Sequence, residues 1–173
     1  MRLILLLLFV MSPVISAEPV VEKKVEVDFV KANIHIFPIK DYRVIDGDTV
    51  EVFLDLQFGL TMKTSIRIIG INTPEVRGDR EKKAGLAIKE VVEQWMKERG
   101  PLYCQVVKED KFGGRFDGRI ISATDYRLSE YLLDNNLAQE YDGKTKKVEF
   151  TQKELDDMEN AAYNLIIEKL EEK

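Results

Sequence analysis

The sequence predicts an α+β fold: a small β-barrel of five strands with three helices inserted or appended. Three observations carry this. Short stretches alternate apolar and polar residues, the period of half-buried strands. Asp-Gly, Gly-Gly and Asn-Thr-Pro groups punctuate them. Longer stretches repeat apolar residues every three or four positions, the period of a helix.

Asp41 to Ile45 and Thr49 to Leu56 read as two strands around Asp46-Gly47-Asp48, where the Asp-Gly pair supplies the tight turn. Lys63 to Ile69 is a third strand. Asn72-Thr73-Pro74 stops it, because proline cannot extend a ladder. Val76 to Gly85 is polar and charge-rich, and reads as a mobile loop. Leu86 to Lys97 is helical, with an apolar stripe of Leu86, Ile88, Val91, Val92, Trp95 and Met96.

Leu102 to Val107 is a fourth strand, Lys111 to Gly114 a glycine loop and Arg119 to Ala123 a fifth strand. Leu128 to Asn135 is a short helix with Leu128, Tyr131 and Leu132 on one face. A final helix starts at Thr151, where Glu154 three residues on completes a capping box. Its stripe is Leu155, Met158, Ala162, Leu165 and Ile166. This order suits a small closed barrel such as the OB-fold, and other α+β folds share it.

The first residues stand apart. Met1-Arg2 is a short positive start, Leu3 to Met11 an uninterrupted apolar run, and Ser16-Ala17 a small-residue site before a polar chain. That is the pattern of an export signal over residues 1–17, too short for the roughly 20 residues of a membrane span. The expected destination is the exterior, a periplasm or the cell envelope, with no span left after cleavage. Residues 18–40 form an N-terminal extension, in which Val25, Val27 and Phe29 alternate with charged residues as edge strands do. Residues 41–173 are the main domain.

Composition removes several chemistries. The one cysteine, Cys104, leaves no intrachain disulfide, and its apolar setting suits a buried small side chain rather than a nucleophile. One histidine, His35, allows neither a Ser-His-Asp triad nor a multi-histidine zinc site.

Asp48 and the Asn72-Thr73 pair lie at strand ends that can converge. A carboxylate, amide or carbonyl oxygens and waters make a hard site, which suits Ca²⁺ or Mg²⁺ rather than zinc. An isolated Asp-Gly-Asp is more often only a turn. Asp46 reads as a supporting or turn-forming residue. Arg67, inside an apolar strand, must point out of a barrel or meet an anion. Arg67 and Arg115 together can clamp one phosphate bidentately. Glu75, behind a rigid Thr-Pro, can take a proton from an attacking water. Each residue alone fits an ordinary surface ion pair.

Three motifs combine these residues: Arg43 to Val50 with Asp46-Gly47-Asp48-Thr49, Arg67 to Glu75 with Asn72-Thr73-Pro74-Glu75, and Asp110 to Arg115. Together they resemble the staphylococcal nuclease (thermonuclease) family, from about Tyr42 to Tyr141 and more weakly into the last helix. The resemblance implies an OB-fold barrel and a Ca²⁺-dependent endonuclease, with Mg²⁺ or Mn²⁺ as lesser alternatives. It implies hydrolysis of DNA or RNA with little sequence preference. Asp48, Asn72 and the Thr73 carbonyl would bind one calcium, Arg67 and Arg115 the scissile phosphate, and Lys111 a further phosphate. Glu75 would act on the water. DNA or RNA is the expected partner, with no stable protein partner.

The sequence departs from the family where Asn72 replaces an aspartate, Phe112 a tyrosine, and Gly114 is inserted before Arg115. The insertion leaves Arg119 as the competitor of Arg115, and Arg115 is preferred because it puts Ile120-Ile121 on the expected strand. A weak or inactive binding module on the same barrel is the alternative, and an envelope-associated interaction domain a further one. The net charge of −5 is unusual for a nucleic-acid enzyme. It resides in Val148 to Lys173, with eight acids and three bases, so the remainder is neutral with basic clusters at Arg67–Lys83 and Lys108–Arg119.

Overall fold

A computed structural model describes residues 35–110, 113–143 and 149–171. The expected export segment, most of the N-terminal extension, Lys111 and Phe112 lie outside the described residues. In chain order the elements are β1 (His35–Asp46), β2 (Thr49–Asp55), β3 (Thr61–Ile68), β4 (Gly70–Asn72), α1 (Lys82–Glu98), β5 (Leu102–Glu109), β6 (Arg115–Ser122), α2 (Leu128–Asp134), β7 (Gln139–Tyr141) and α3 (Gln152–Glu171).

Five strands close a barrel in the order β1-β2-β3-β6-β5, an OB-fold-like arrangement on an α+β chain. All neighbours are antiparallel except β3 and β6, which run parallel. The β1–β2 turn is two residues long, with Asp46 paired to Thr49 across Gly47 and Asp48. The Asp48 N–H donates to Asp46 Oδ1 at 3.1 Å, so the aspartate builds its own turn.

Alternation fills the barrel. Val50, Val52 and Leu54 of β2 point inward with Ile66 and Ile68 of β3, Cys104 of β5 and Ile120 of β6, none more than 1% exposed. Each such aliphatic side chain contributes about 1.5 to 3 kcal/mol of burial. Burial also pushes the Cys104 thiol up to about 12, so it is an inert part of the core.

α1 packs on the barrel and α3 packs on α1, burying Ala84, Ala87, Ile88, Val91, Val92 and Met96 of the first and Leu155, Met158, Ala162 and Ile166 of the second. Trp95 is wholly buried, with its ring 6.2 Å from that of Tyr131 on α2. The capping box of α3 forms as the spacing predicts: Glu154 N–H donates to Thr151 Oγ1 at 3.2 Å, and Thr151 N–H to Glu154 Oε2 at 2.7 Å.

Four local expectations change. Residues 35–40 are not a separate edge extension: they continue β1 and close the barrel, with His35 to Pro38 paired to Val106 to Tyr103. α1 starts at Lys82, inside the expected loop, and turns Leu86 outward at 46% exposure, because Ala84 and Ala87 supply the buried face. The third strand ends at Ile68, and from Gly70, at φ +89°, the chain runs as β4, which pairs with an unexpected β7. The strand expected at Arg119 begins four residues earlier, at Arg115.

Candidate active site

The β1–β2 turn, the segment after β4 and the start of α1 meet closely. Gly47 makes this possible: a side chain there would stand 2.7 Å from Thr73 Oγ1 and 2.8 Å from an Ile88 methyl. The segment after β4 rests on α1 at Gly85, where a Cβ would come within 2.4 Å of the Glu75 carbonyl oxygen. The Glu75 N–H donates to Glu81 Oε2 at 2.9 Å, tying the same segment to the foot of α1. The Glu75 side chain is thereby held at an exposed position beside the turn.

Asp48 lies at the centre of this meeting. It is 5% exposed, and Thr73 N–H donates to its Oδ2 at 3.0 Å. Its Oδ1 faces Arg67 Nη1 at 2.6 Å. Arg67 also donates from Nη1 to the Asp48 and Ile68 carbonyls, each at 3.3 Å, and from Nη2 to the Ile71 carbonyl at 3.1 Å. The arginine therefore resolves the conflict of a cation in an apolar strand by turning outward onto carbonyls and a carboxylate.

Negative charge accumulates around the turn. The Asp46 carboxyl is pushed up to about 6, first by burial, then by the Asp48 carboxylate and, more weakly, by Glu75. Asn72 is 4% exposed, and its Oδ1 is buried with no hydrogen-bond partner. An orphaned acceptor costs about 1 to 3 kcal/mol unless something positive meets it. The oxygens of Asp46, Asp48 and Asn72 are of the hard kind that suits a divalent cation such as Ca²⁺, while both Asp48 carboxylate oxygens are engaged, Oδ1 by Arg67 and Oδ2 by the Thr73 N–H. Among the described residues no three His, Cys, Asp or Glu side chains gather closely enough to hold a metal by themselves. A cation here would thus depend on amide, carbonyl and water oxygens alongside Asp48.

A cavity of about 490 Å³ opens next to Arg67, lined also by Ile71, Lys108, Asp110, Arg115, Asp117 and Tyr141. The parallel ladder explains how two arginines reach it. Ser65 is opposite Arg115 and Arg67 opposite Asp117. Ser65 and Arg67 share a face, so Arg115 and Arg67 point the same way, two positions apart on adjacent strands. Arg119 does not line this cavity and donates from Nη1 to Gln105 Oε1 at 3.1 Å.

Compared with known proteins, the chain matches no protein-family model and no curated protein.

The structure thus brings Asp46, Asp48, Thr73 and Glu75 close to one turn, and Arg67 and Arg115 to one cavity beside it, while Asn72 precedes Thr73 and is buried. Lys111 lies outside the described residues. Sequence reading missed the buried Asp110, whose carboxylate grips Arg115, although both ends of the third motif name the pair. It also missed Gly85, read as the end of a loop and found buried inside α1 against Glu75.

Proposed function

We propose that the chain is an exported, Ca²⁺-dependent endonuclease of the staphylococcal nuclease type, hydrolysing phosphodiester bonds of DNA or RNA with little sequence preference. The observation that supports it is the side-by-side presentation of Arg67 and Arg115 to one cavity, with Asp48 against Arg67. Two guanidiniums suit a phosphate, because each presents paired N–H donors to its oxygens.

The cavity's own charges do not suffice. Arg67, Lys108 and Arg115 face Glu109, Asp110, Asp117 and Asp142, so the lining alone does not attract an anion strongly. A Ca²⁺ held by Asp48, Asn72 and Thr73 would supply the missing positive charge and polarise a phosphate oxygen and water. Arg67 and Arg115 then orient the phosphate and offset the charge that grows on its oxygens. Glu75, exposed at the rim of the turn, accepts a proton from the attacking water as the water oxygen bonds to phosphorus. The bond from phosphorus to the leaving sugar oxygen breaks, and that oxygen takes a proton from solvent.

Incubating the mature chain with plasmid DNA and single-stranded DNA tests this. Digestion in Ca²⁺ that stops in chelator is expected. Intact DNA in Ca²⁺ overturns the reading, and binding of single-stranded DNA without cleavage marks a binding module instead.

A further inference from the structure

We propose that Asp110 is a positioning residue that holds Arg115 in place before substrate arrives. The inference rests on the nuclease reading for what Arg115 does, and on geometry alone for what Asp110 does.

Asp110 engages Arg115 twice. Its Oδ2 accepts from Arg115 Nε, and its backbone N–H donates to the Arg115 carbonyl at 3.0 Å. Its own carbonyl accepts from Gly113 N–H at 2.9 Å. Gly113 and Gly114, both at φ +73°, allow this tight return. The carboxylate side chain is 7% exposed while that of Arg115 is 35% exposed, so the anchor is buried and the guanidinium is presented.

The choice of nitrogen matters. A guanidinium has N–H groups on Nε, Nη1 and Nη2. Binding at Nε leaves the four Nη hydrogens for an incoming phosphate and stops rotation about the last torsions. Ordering the side chain in advance removes that cost from the binding and chemical steps. Arg119 makes the contrast: on the same strand, it bonds a glutamine and stays out of the cavity.

The test uses the full mature chain with Asp110→Ala, Asp110→Asn, Arg115→Ala and the Asp110→Ala/Arg115→Ala double variant. Nitrogen-resolved NMR of arginine Nε–Hε groups reads position without any cleavage. The Arg115 signal, assigned by its loss in Arg115→Ala, should exchange with water about tenfold faster in Asp110→Ala, the effect of losing a charge-assisted bond. Asp110→Asn, which keeps the shape and one oxygen, should lie between, and an unchanged barrel spectrum confirms the fold.

In single-stranded DNA cleavage with Ca²⁺, Asp110→Ala should lower kcat about tenfold to a hundredfold with little change in KM, the scale of a misplaced catalytic group. The double variant should be no slower than Arg115→Ala. Unchanged Nε–Hε exchange in Asp110→Ala overturns the proposal, and so do losses that multiply in the double variant. A wild-type chain that does not cut DNA overturns the nuclease reading instead, and the exchange data still decide whether Asp110 fixes Arg115.

Discussion

Arg67 Nη1 stands 2.6 Å from Asp48 Oδ1, with the two side chains only 11% and 7% exposed. The pair ties the β1–β2 turn to β3, and Arg67 also lines the cavity it shares with Arg115. An ion pair so far withdrawn from water is costly to halve, because the survivor is left as a buried charge.

Arg67→Ala should therefore lose about 3 to 5 kcal/mol of stability as well as activity. Domains typically hold about 5 to 15 kcal/mol in reserve, so the variant folds with a lowered urea midpoint. A midpoint equal to wild type would mean that the turn does not depend on the pair.

Glu75 is exposed, so Glu75→Gln should shift stability by no more than about 0.5 kcal/mol. If Glu75 moves a proton, cleavage of single-stranded DNA should slow about 10² to 10⁴-fold. An undiminished rate in the purified variant removes Glu75 from the mechanism.

Gly85→Ala separates helix propensity from packing. In an ordinary helix the change stabilises by up to about 1 kcal/mol. Here the new Cβ would meet the Glu75 carbonyl oxygen at 2.4 Å. The expected outcome is a loss of about 1 to 3 kcal/mol, with slower cleavage as Glu75 shifts. A variant more stable than wild type would show that the segment yields freely.

Asp46→Asn should stabilise the protein in a pH-dependent way. Burial, reinforced by Asp48, raises the folded Asp46 carboxyl to about 6, above its unfolded value. Its protonation therefore favours folding at low pH, and that contribution is lost as pH rises through about 6. In chelator, Asp46→Asn should gain on the order of 1 to 3 kcal/mol at neutral and higher pH. The gain should vanish in acid below the unfolded value. Asparagine keeps an acceptor for the Asp48 N–H, so the turn survives. Equal urea midpoints for both proteins across this range would contradict the burial account.

Asn72→Asp should tighten Ca²⁺ binding in a calorimetric titration, because calcium affinity follows the charge of its ligands. The orphaned Asn72 Oδ1 motivates the choice. No gain in affinity would mean that the residue does not face the cation.

Local rules made most of the framework legible. The Asp46-Gly47-Asp48 turn, the inward alternation of β2 and the Thr151–Glu154 box are encoded within a few residues, and each forms as read. Partnerships distant in sequence were less visible. Gln139 to Tyr141 is a strand only because Gly70 to Asn72 lies beside it. Lys82 to Gly85 looks like charged loop until Ala84 and Gly85 are seen buried. At the candidate site the residue types were legible, while the grip of Asp110 on Arg115 and the close approach at Gly85 belong to tertiary packing.

The parallel pairing of β3 and β6 has a consequence for how such a chain tolerates change. Because a ladder sets the separation of Arg67 and Arg115, the hairpin at Gly113-Gly114 can lengthen or shorten without altering their spacing, provided the strands stay in step. A slip of a single rung would do the opposite, sending Arg115 toward the hydrocarbon interior and Phe116 out into water.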